Sequence, residues 1–453
     1  MMSVILILYL AALLIIAVRS ARAVNSIPDF FVARKGASAR AVAGSLVATI
    51  LGGSAIIGAI DAGPRMGGAA TWFMLVGAMG LLALLPFARK AYALGKYALP
   101  DLIENLYGKG PRLVASVVIP LAWTGIVAAQ IIAAAKLLQS FTPMSYTMAA
   151  LVSATVFILY TVAGGQLSIL RTDFLQAILI IAGLLAVAGF ALGSGTVGEN
   201  LARGEAPAFP FNAGFSPLDL FLLLLTYGTT FTAGPDMFSR IFCARDARTA
   251  RSAILTAAVV LVPVAAIIGF LAAFGTGFGN VQGARITAIA QAVVPAPLLP
   301  LIALALLSVV LSSADTTLLS SSIIVYGLFN RSSGNKPSAR PLAKARVIIL
   351  CNGIVATLIA LQFTDIIGML LLGLAVYAGA FTVPILWGLS GLRSKPVFVG
   401  AAIIAGGLLA LAGKLLPALG EGVQLPAHTS DALLIAAFAV NALLLTCGRT
   451  RGK

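Results

Sequence analysis

The sequence predicts an all-α polytopic membrane protein with about thirteen transmembrane helices. Hydrophobic residues fill 60% of the 453 positions and charged residues only 10%. An ordinary soluble domain carries roughly 25% charged residues, so this chain has too few to cover a water-facing surface. Its apolar residues are gathered in runs close to the ~20 residues a helix needs to cross a ~30 Å hydrocarbon core. The remaining cations alternate between connections, with twenty-five of the 30 Lys and Arg on one set of loops.

In chain order, the apolar runs lie near 3–18, 43–60, 67–88, 113–140, 145–163, 173–194, 216–239, 250–275, 297–326, 345–362, 366–390, 397–416 and 430–447. The first has no basic residue ahead of it and Arg19 and Arg22 behind it, the reverse of a secretory leader, and is expected to be a true span. Ala and Gly throughout the runs suit close helix packing in a membrane. The ~10-residue alternating segments of a transmembrane barrel are not seen. With the N-terminus outside, the richer loop set begins with Arg19, Arg22, Arg34, Lys35 and Arg40. It continues through Arg240, Arg245, Arg248 and Arg251 to Lys336, Arg340, Arg449, Arg451 and Lys453. The other set holds only Arg65, Lys136, Arg203, Arg285 and Lys414. The positive-inside rule then places the C-terminus in the cytoplasm, in a cell (inner) membrane. On this reading the net charge of +16 reflects topology, and no nucleic-acid partner is expected.

Cys243, Cys351 and Cys447 form no CxxC or Cys/His cluster, so neither a disulfide nor a thiolate metal site is expected. The lone His428 falls in an external loop and is expected to be solvated. No connection is long enough for a soluble domain. The chain divides into an extra N-terminal helix and loop (1–42), a first five-helix unit (43–195), a second (216–391) and C-terminal accessory helices (392–453). Each unit opens with a helix interrupted by small residues, Thr49-Ile-Leu-Gly-Gly-Ser-Ala-Ile-Ile-Gly58 and Thr226-Tyr-Gly-Thr-Thr-Phe-Thr-Ala-Gly-Pro235. Five helices per unit make the repeat inverted in the membrane. Interrupted helices at matching positions of two halves point to a midplane binding site in a secondary transporter.

Four stretches resemble the sodium/solute symporter family, which has the LeuT-type five-plus-five inverted-repeat fold. Asp29-Phe-Phe-Val-Ala-Arg-Lys35 resembles its DFF segment, without the usual second glycine. Tyr160-Thr-Val-Ala-Gly-Gly, continuing to Thr172-Asp-Phe-Leu-Gln176, resembles its most specific motif. Gly234-Pro-Asp-Met-Phe-Ser-Arg240 resembles the end of the sixth core helix, and Ser312-Ser-Ala-Asp-Thr-Thr317 the hydroxyl run of the eighth. The resemblance implies a co-transported sodium ion held by the Ser312 and Ser313 hydroxyls and the carbonyls of Ala48, Leu51 and Val309. Such a hard cation needs oxygen ligands, which in hydrocarbon come from hydroxyls and from carbonyls freed at helix breaks. It also implies a possible second cation site at Asp173, Ser312, Asp315 and Thr316, with an aspartate where a hydroxyl is usual. Asp61 is expected to pair with Arg65 four residues on, or to touch a cationic part of the substrate.

By the same resemblance the substrate pocket is expected to involve Gly52, Ala55, Met74, Trp123, Tyr227, Phe231, Pro235 and Tyr377, with Gln130 nearby. A sugar would find few hydrogen-bonding partners at these positions, and an unpaired buried hydroxyl is costly. An amino acid or short carboxylate is expected instead, imported with sodium by alternating access. The alternatives are a proton-coupled symporter and a solute sensor of the same fold. No HExxH or GxSxG motif supports an enzyme. The expected partners are the solute and the bilayer, with no obligate protein partner.

Overall fold

In hydrocarbon every backbone N–H and C=O must be satisfied within the chain, and apolar runs of this length do so as helices. The computed structural model describes residues 2–203, 209–281, 283–332, 341–419 and 428–450, and among these every extended element is a helix. The cation positions Lys336, Arg340, Arg451 and Lys453 lie outside the described residues.

The chain enters through α1 (Met2–Ala21) and the short α2 (Ile27–Val32). A capping box fixes the start of α2: the Asp29 N–H donates to Ser26 Oγ, and the Asp29 carboxylate accepts the Ser26 N–H. Arg34 Nε closes the turn on Asp29 Oδ1 at 2.5 Å. That bond is the main cause holding the Asp29 carboxyl well below the usual aspartate value. Ser38 caps α3 (Ala39–Ile50) by accepting the Ala41 N–H. The helix stops at Leu51, whose ψ of 43° turns its carbonyl out of the helical direction. The chain resumes as a π-helical turn, Ser54–Gly58, and Ala59–Asp61, bent by 50° from α3.

α4 (Thr71–Leu84) and α5 (Lys109–Phe141) follow. α6 (Tyr146–Gly193) is 48 residues long, about 72 Å at 1.5 Å per residue and more than twice a hydrocarbon core. Gly165, at φ 56° and ψ −153°, breaks it into two spans. Only glycine is at ease in that conformation, and a Cβ there would fall 2.6 Å from the Phe30 ring. The second interrupted helix runs from Pro217–Leu223 through a π turn, Leu224–Gly228, into α7 (Thr229–Ala233). It breaks at Gly234 (ψ 144°) and restarts as α8 (Pro235–Cys243). Then come α9 (Ala247–Phe274), α10 (Leu299–Ser332), α11 (Pro341–Gln362), α12 (Ile366–Leu389), α13 (Pro396–Leu419) and α14 (Thr429–Cys447).

Among the described residues nine helices are long and apolar enough to cross a membrane. The bent α6, α1 and the two interrupted helices supply the remaining candidate spans, in keeping with about thirteen. α10 packs against α5, α6 and α3, while α13 and α14 pair beside α12. Outward faces carry large apolar residues such as Leu121, Val259 and Leu358, whereas Ser308, Ser312, Thr316 and Asp315 are buried at the centre. Polar groups are thus concentrated inside and apolar ones outside.

Two of the cations assigned to loops are buried. Arg240 is fully buried in α8, nearly two turns beyond the break at Gly234, and Arg285 is buried with its guanidinium on the Gly275 carbonyl at 2.7 Å. The expected Asp61–Arg65 pair is also not formed. Ala59–Asp61 ends at Ala62 (ψ −4°), so the i,i+4 geometry is lost, and Asp61 accepts the backbone N–H of Arg285 at 2.7 Å. All three cysteines are free thiols, Cys243 buried and the others exposed, and His428 is exposed beside Asp431.

Candidate functional site

The break at Leu51 strips the carbonyls of the last turn of α3 of their usual N–H partners. Consecutive serines of α10 take them up. Ser312 Oγ donates to Ala48 O at 2.9 Å and lies 3.3 Å from Val309 O. Ser313 Oγ donates to Thr49 O at 3.0 Å. Ala48, Val309 and Ser312 are therefore drawn together, and Leu51 is the residue at which α3 ends. Contact this close requires Gly52, because a Cβ there would collide with Ser313 Oγ. The cluster offers neutral oxygens, the ligand type a sodium ion prefers. Among the described residues no group of His, Cys, Asp or Glu could hold a transition metal.

Nearby, Arg240, which the charge pattern places in a loop, joins Asp173 and Thr316 of the expected second cation site in a charged cluster. The Arg240 guanidinium, fully buried, donates from Nε to Ser45 Oγ at 3.1 Å, from Nη1 to Ser239 Oγ at 3.0 Å, and from Nη2 to Asp173 Oδ2 at 3.3 Å and to Thr316 Oγ1. Ser45 Oγ also bonds Asp173 Oδ2. The four residues proposed for a second cation are thus only partly assembled. Asp173 and Thr316 both bind Arg240, so a positive group of the chain itself already spans them. Asp315 meets the Thr316 hydroxyl at 3.4 Å, and Ser312 Oγ, a turn earlier on the same face, donates to Ala48 O and not to the carboxylates.

Between the two interrupted helices, α5 and α10 lies a cavity of about 60 Å³. Of the residues expected at a substrate pocket, Gly52, Trp123, Tyr227 and Phe231 line this cavity, and so does Gln130. Tyr227 and Phe231 meet edge to face with centroids 4.7 Å apart. Ala55, Met74, Pro235 and Tyr377 do not line it. Ala55 and Met74 are packed away in the core. Pro235 is the first residue of α8, where its fixed φ suits a helix start and its ring stays buried. Tyr377 turns its hydroxyl to the Ala233 carbonyl at 2.5 Å, with its ring edge-on to Trp123. The residues missed in the sequence are Thr49, Thr230, Asp236 and Thr317. Asp236 stands out: Trp123 Nε1 donates to its Oδ1 at 2.9 Å. The available signal was an acidic residue immediately after the Gly234-Pro235 break inside an apolar run.

Two helices broken at matched positions, with a long hydroxyl-rich helix closing on the first break, define a solute transporter of the LeuT-type fold. The chain belongs to the sodium:solute symporter family, whose profile matches residues 30–395. An uncharacterised symporter of Bacillus subtilis (strain 168), YwcA, is 26% identical over 217 residues, a match spanning 45% of this chain and 42% of that relative. A Na+-coupled sialic acid symporter, solved substrate-bound and outward-open, superimposes with a TM-score of 0.81 at 16% identity, covering 100% of this chain and 99% of that one. A manganese transporter of Eremococcus coleocola gives a TM-score of 0.59 at 16% identity, over 90% of this chain and 94% of its own.

Proposed function

We propose that this chain imports a small organic solute by symport with sodium through alternating access, with the N-terminus outside and the C-terminus cytoplasmic. The observation that carries the reading is the pair of hydrogen bonds from Ser312 and Ser313 to the carbonyls freed at the break in α3. Ser313 also lines the solute cavity, so an ion drawing Ala48, Val309, Ser312 and Ser313 together would set the shape of that cavity. Ion occupancy and solute affinity would thus be linked through one side chain, as coupling requires. We read 43–195 and 216–391 as the inverted repeats; the interruption of the first helix in each supports this. The Arg240 guanidinium between Asp173 and Thr316 favours a single transported sodium over two. The aromatic, partly polar cavity suits an amino acid or short carboxylate better than a sugar.

The test is uptake of labelled amino acids and short carboxylates into proteoliposomes, with and without an inward sodium gradient. Accumulation that needs sodium and vanishes in Ser312→Ala/Ser313→Ala protein supports the reading. Accumulation driven by a proton gradient alone would replace it with proton coupling.

A further inference from the structure

The solute cavity is unevenly supplied with hydrogen-bonding groups. Three of its hydroxyls have already given away their protons: Thr230 Oγ1 donates to Thr226 O at 2.8 Å, Thr317 Oγ1 to Ser313 O at 2.8 Å, and Ser313 Oγ to Thr49 O at 3.0 Å. A hydroxyl has one proton and two lone pairs, so what remains for a ligand is acceptor capacity. Gln130 Oε1 is buried with no donor. The Asp236 carboxylate is 8% exposed and lines the same space.

Asp236 has partners, but none that neutralises it directly. Trp123 Nε1 takes one oxygen, and the Ser320 hydroxyl lies close by. Arg240 is one turn further along α8, yet its nitrogens are directed at Ser45, Ser239, Asp173 and Thr316. Among the described lining residues there is no Lys, Arg or His. A carboxylate is acceptor-only, with about four lone-pair sites. The cavity therefore offers several unused acceptors and a net negative side chain, and its described lining holds no side-chain cation for an anionic ligand.

We propose that the Asp236 carboxylate receives a protonated amine of the transported solute, with Gln130 Oε1 and the Thr230 and Thr317 hydroxyl oxygens as further acceptors for its N–H groups. The substrates are then ammonium-bearing solutes, amino acids among them, and not simple carboxylates. This rests on the symport reading above and narrows it. An ammonium presents donors and no acceptors, the complement of this wall, and its charge-assisted bond to a carboxylate is stronger than a neutral one. A solute with a carboxylate and no amine would instead place like charges together.

The experiment uses full-length protein and matched probes: alanine against propionate and lactate, proline against tetrahydrofuran-2-carboxylate, and the remaining common amino acids. Sodium-driven uptake is measured in proteoliposomes for the natural protein and for Asp236→Asn and Asp236→Glu. Binding of ²²Na+ to the purified proteins reports independently on folding and on the ion site. Expected is uptake confined to the amine-bearing members. Asp236→Asn should raise the half-saturating solute concentration at least tenfold with ²²Na+ binding intact, and Asp236→Glu should recover part of it. Sodium-driven uptake of propionate or lactate, an unchanged solute affinity in Asp236→Asn, or intact ²²Na+ binding with no amine carried would each overturn the assignment while leaving the ion site standing. Loss of ²²Na+ binding in the natural protein would instead overturn the symport reading.

Discussion

Replacing Ser312 with alanine removes one hydroxyl from the junction between α10 and the break in α3. In the structure that hydroxyl bonds the Ala48 carbonyl at 2.9 Å and lies 3.3 Å from Val309 O. With sodium bound, it would turn its lone pairs to the ion. A polar contact to a charged group is worth about 1.5–3 kcal/mol, and each 1.4 kcal/mol is about tenfold in affinity. The half-saturating sodium concentration should therefore rise roughly 10- to 150-fold. Ser308→Ala is the internal control, because Ser308 sits one turn earlier on the same helix and bonds Leu304 O and Tyr9, away from the break. A sodium titration of ²²Na+ binding in detergent, with thermal unfolding of each protein alongside, separates ion affinity from folding. An unchanged sodium affinity in Ser312→Ala, or an equal shift in Ser308→Ala, would refute the assignment of the ion to this junction.

Other substitutions test the supporting parts. Gly52→Ala should strongly impair sodium-driven uptake, since its methyl group meets Ser313 Oγ; a fully active Gly52→Ala protein would show that the close approach is dispensable. Arg240→Gln leaves Asp173 buried without its cation and should cost about 3–5 kcal/mol of stability, read as a lower unfolding temperature, with Arg240→Gln/Asp173→Asn recovering much of the loss. Arg34 holds Asp29 ionised, so the folded Asp29 titrates below its ordinary value of 3.8. Its contribution to stability is therefore complete above about pH 4 and is lost as pH falls through the depressed value. Arg34→Ala should move the acid-unfolding midpoint of the N-terminal segment to higher pH, measurable by proteolysis between residues 22 and 38.

The parts of the molecule dictated by hydrocarbon were legible in the sequence. Span lengths and the two interrupted helices follow from apolar run length and small-residue clusters, and the pairing of Ser312 with Ala48 is implied by the family resemblance. What was not legible depends on where a helix resumes after a break. Arg240 stands only five residues before Arg245, and proximity to that basic cluster suggested a loop; the restart at Pro235 carries it instead a turn into the core. The same restart turns Pro235 away from the cavity and Asp236 into it. Asp61 and Arg65 have helical spacing on paper, but the helix between them is interrupted at Ala62. Periodicity cannot register a break of one or two residues, and side-chain direction is lost there first.

The π turns at Ser54–Gly58 and Leu224–Gly228 bear on how this chain should be compared with others. A π turn is an α-helix holding one surplus residue. Deleting a residue from either turn would restore plain α-helix while keeping both flanks facing their present neighbours, whereas a deletion elsewhere in these helices would rotate the following half by about 100°. Single-residue gaps among family members should therefore collect at these two turns, and a gap there marks a local change of winding at the cavity wall and leaves the fold unchanged.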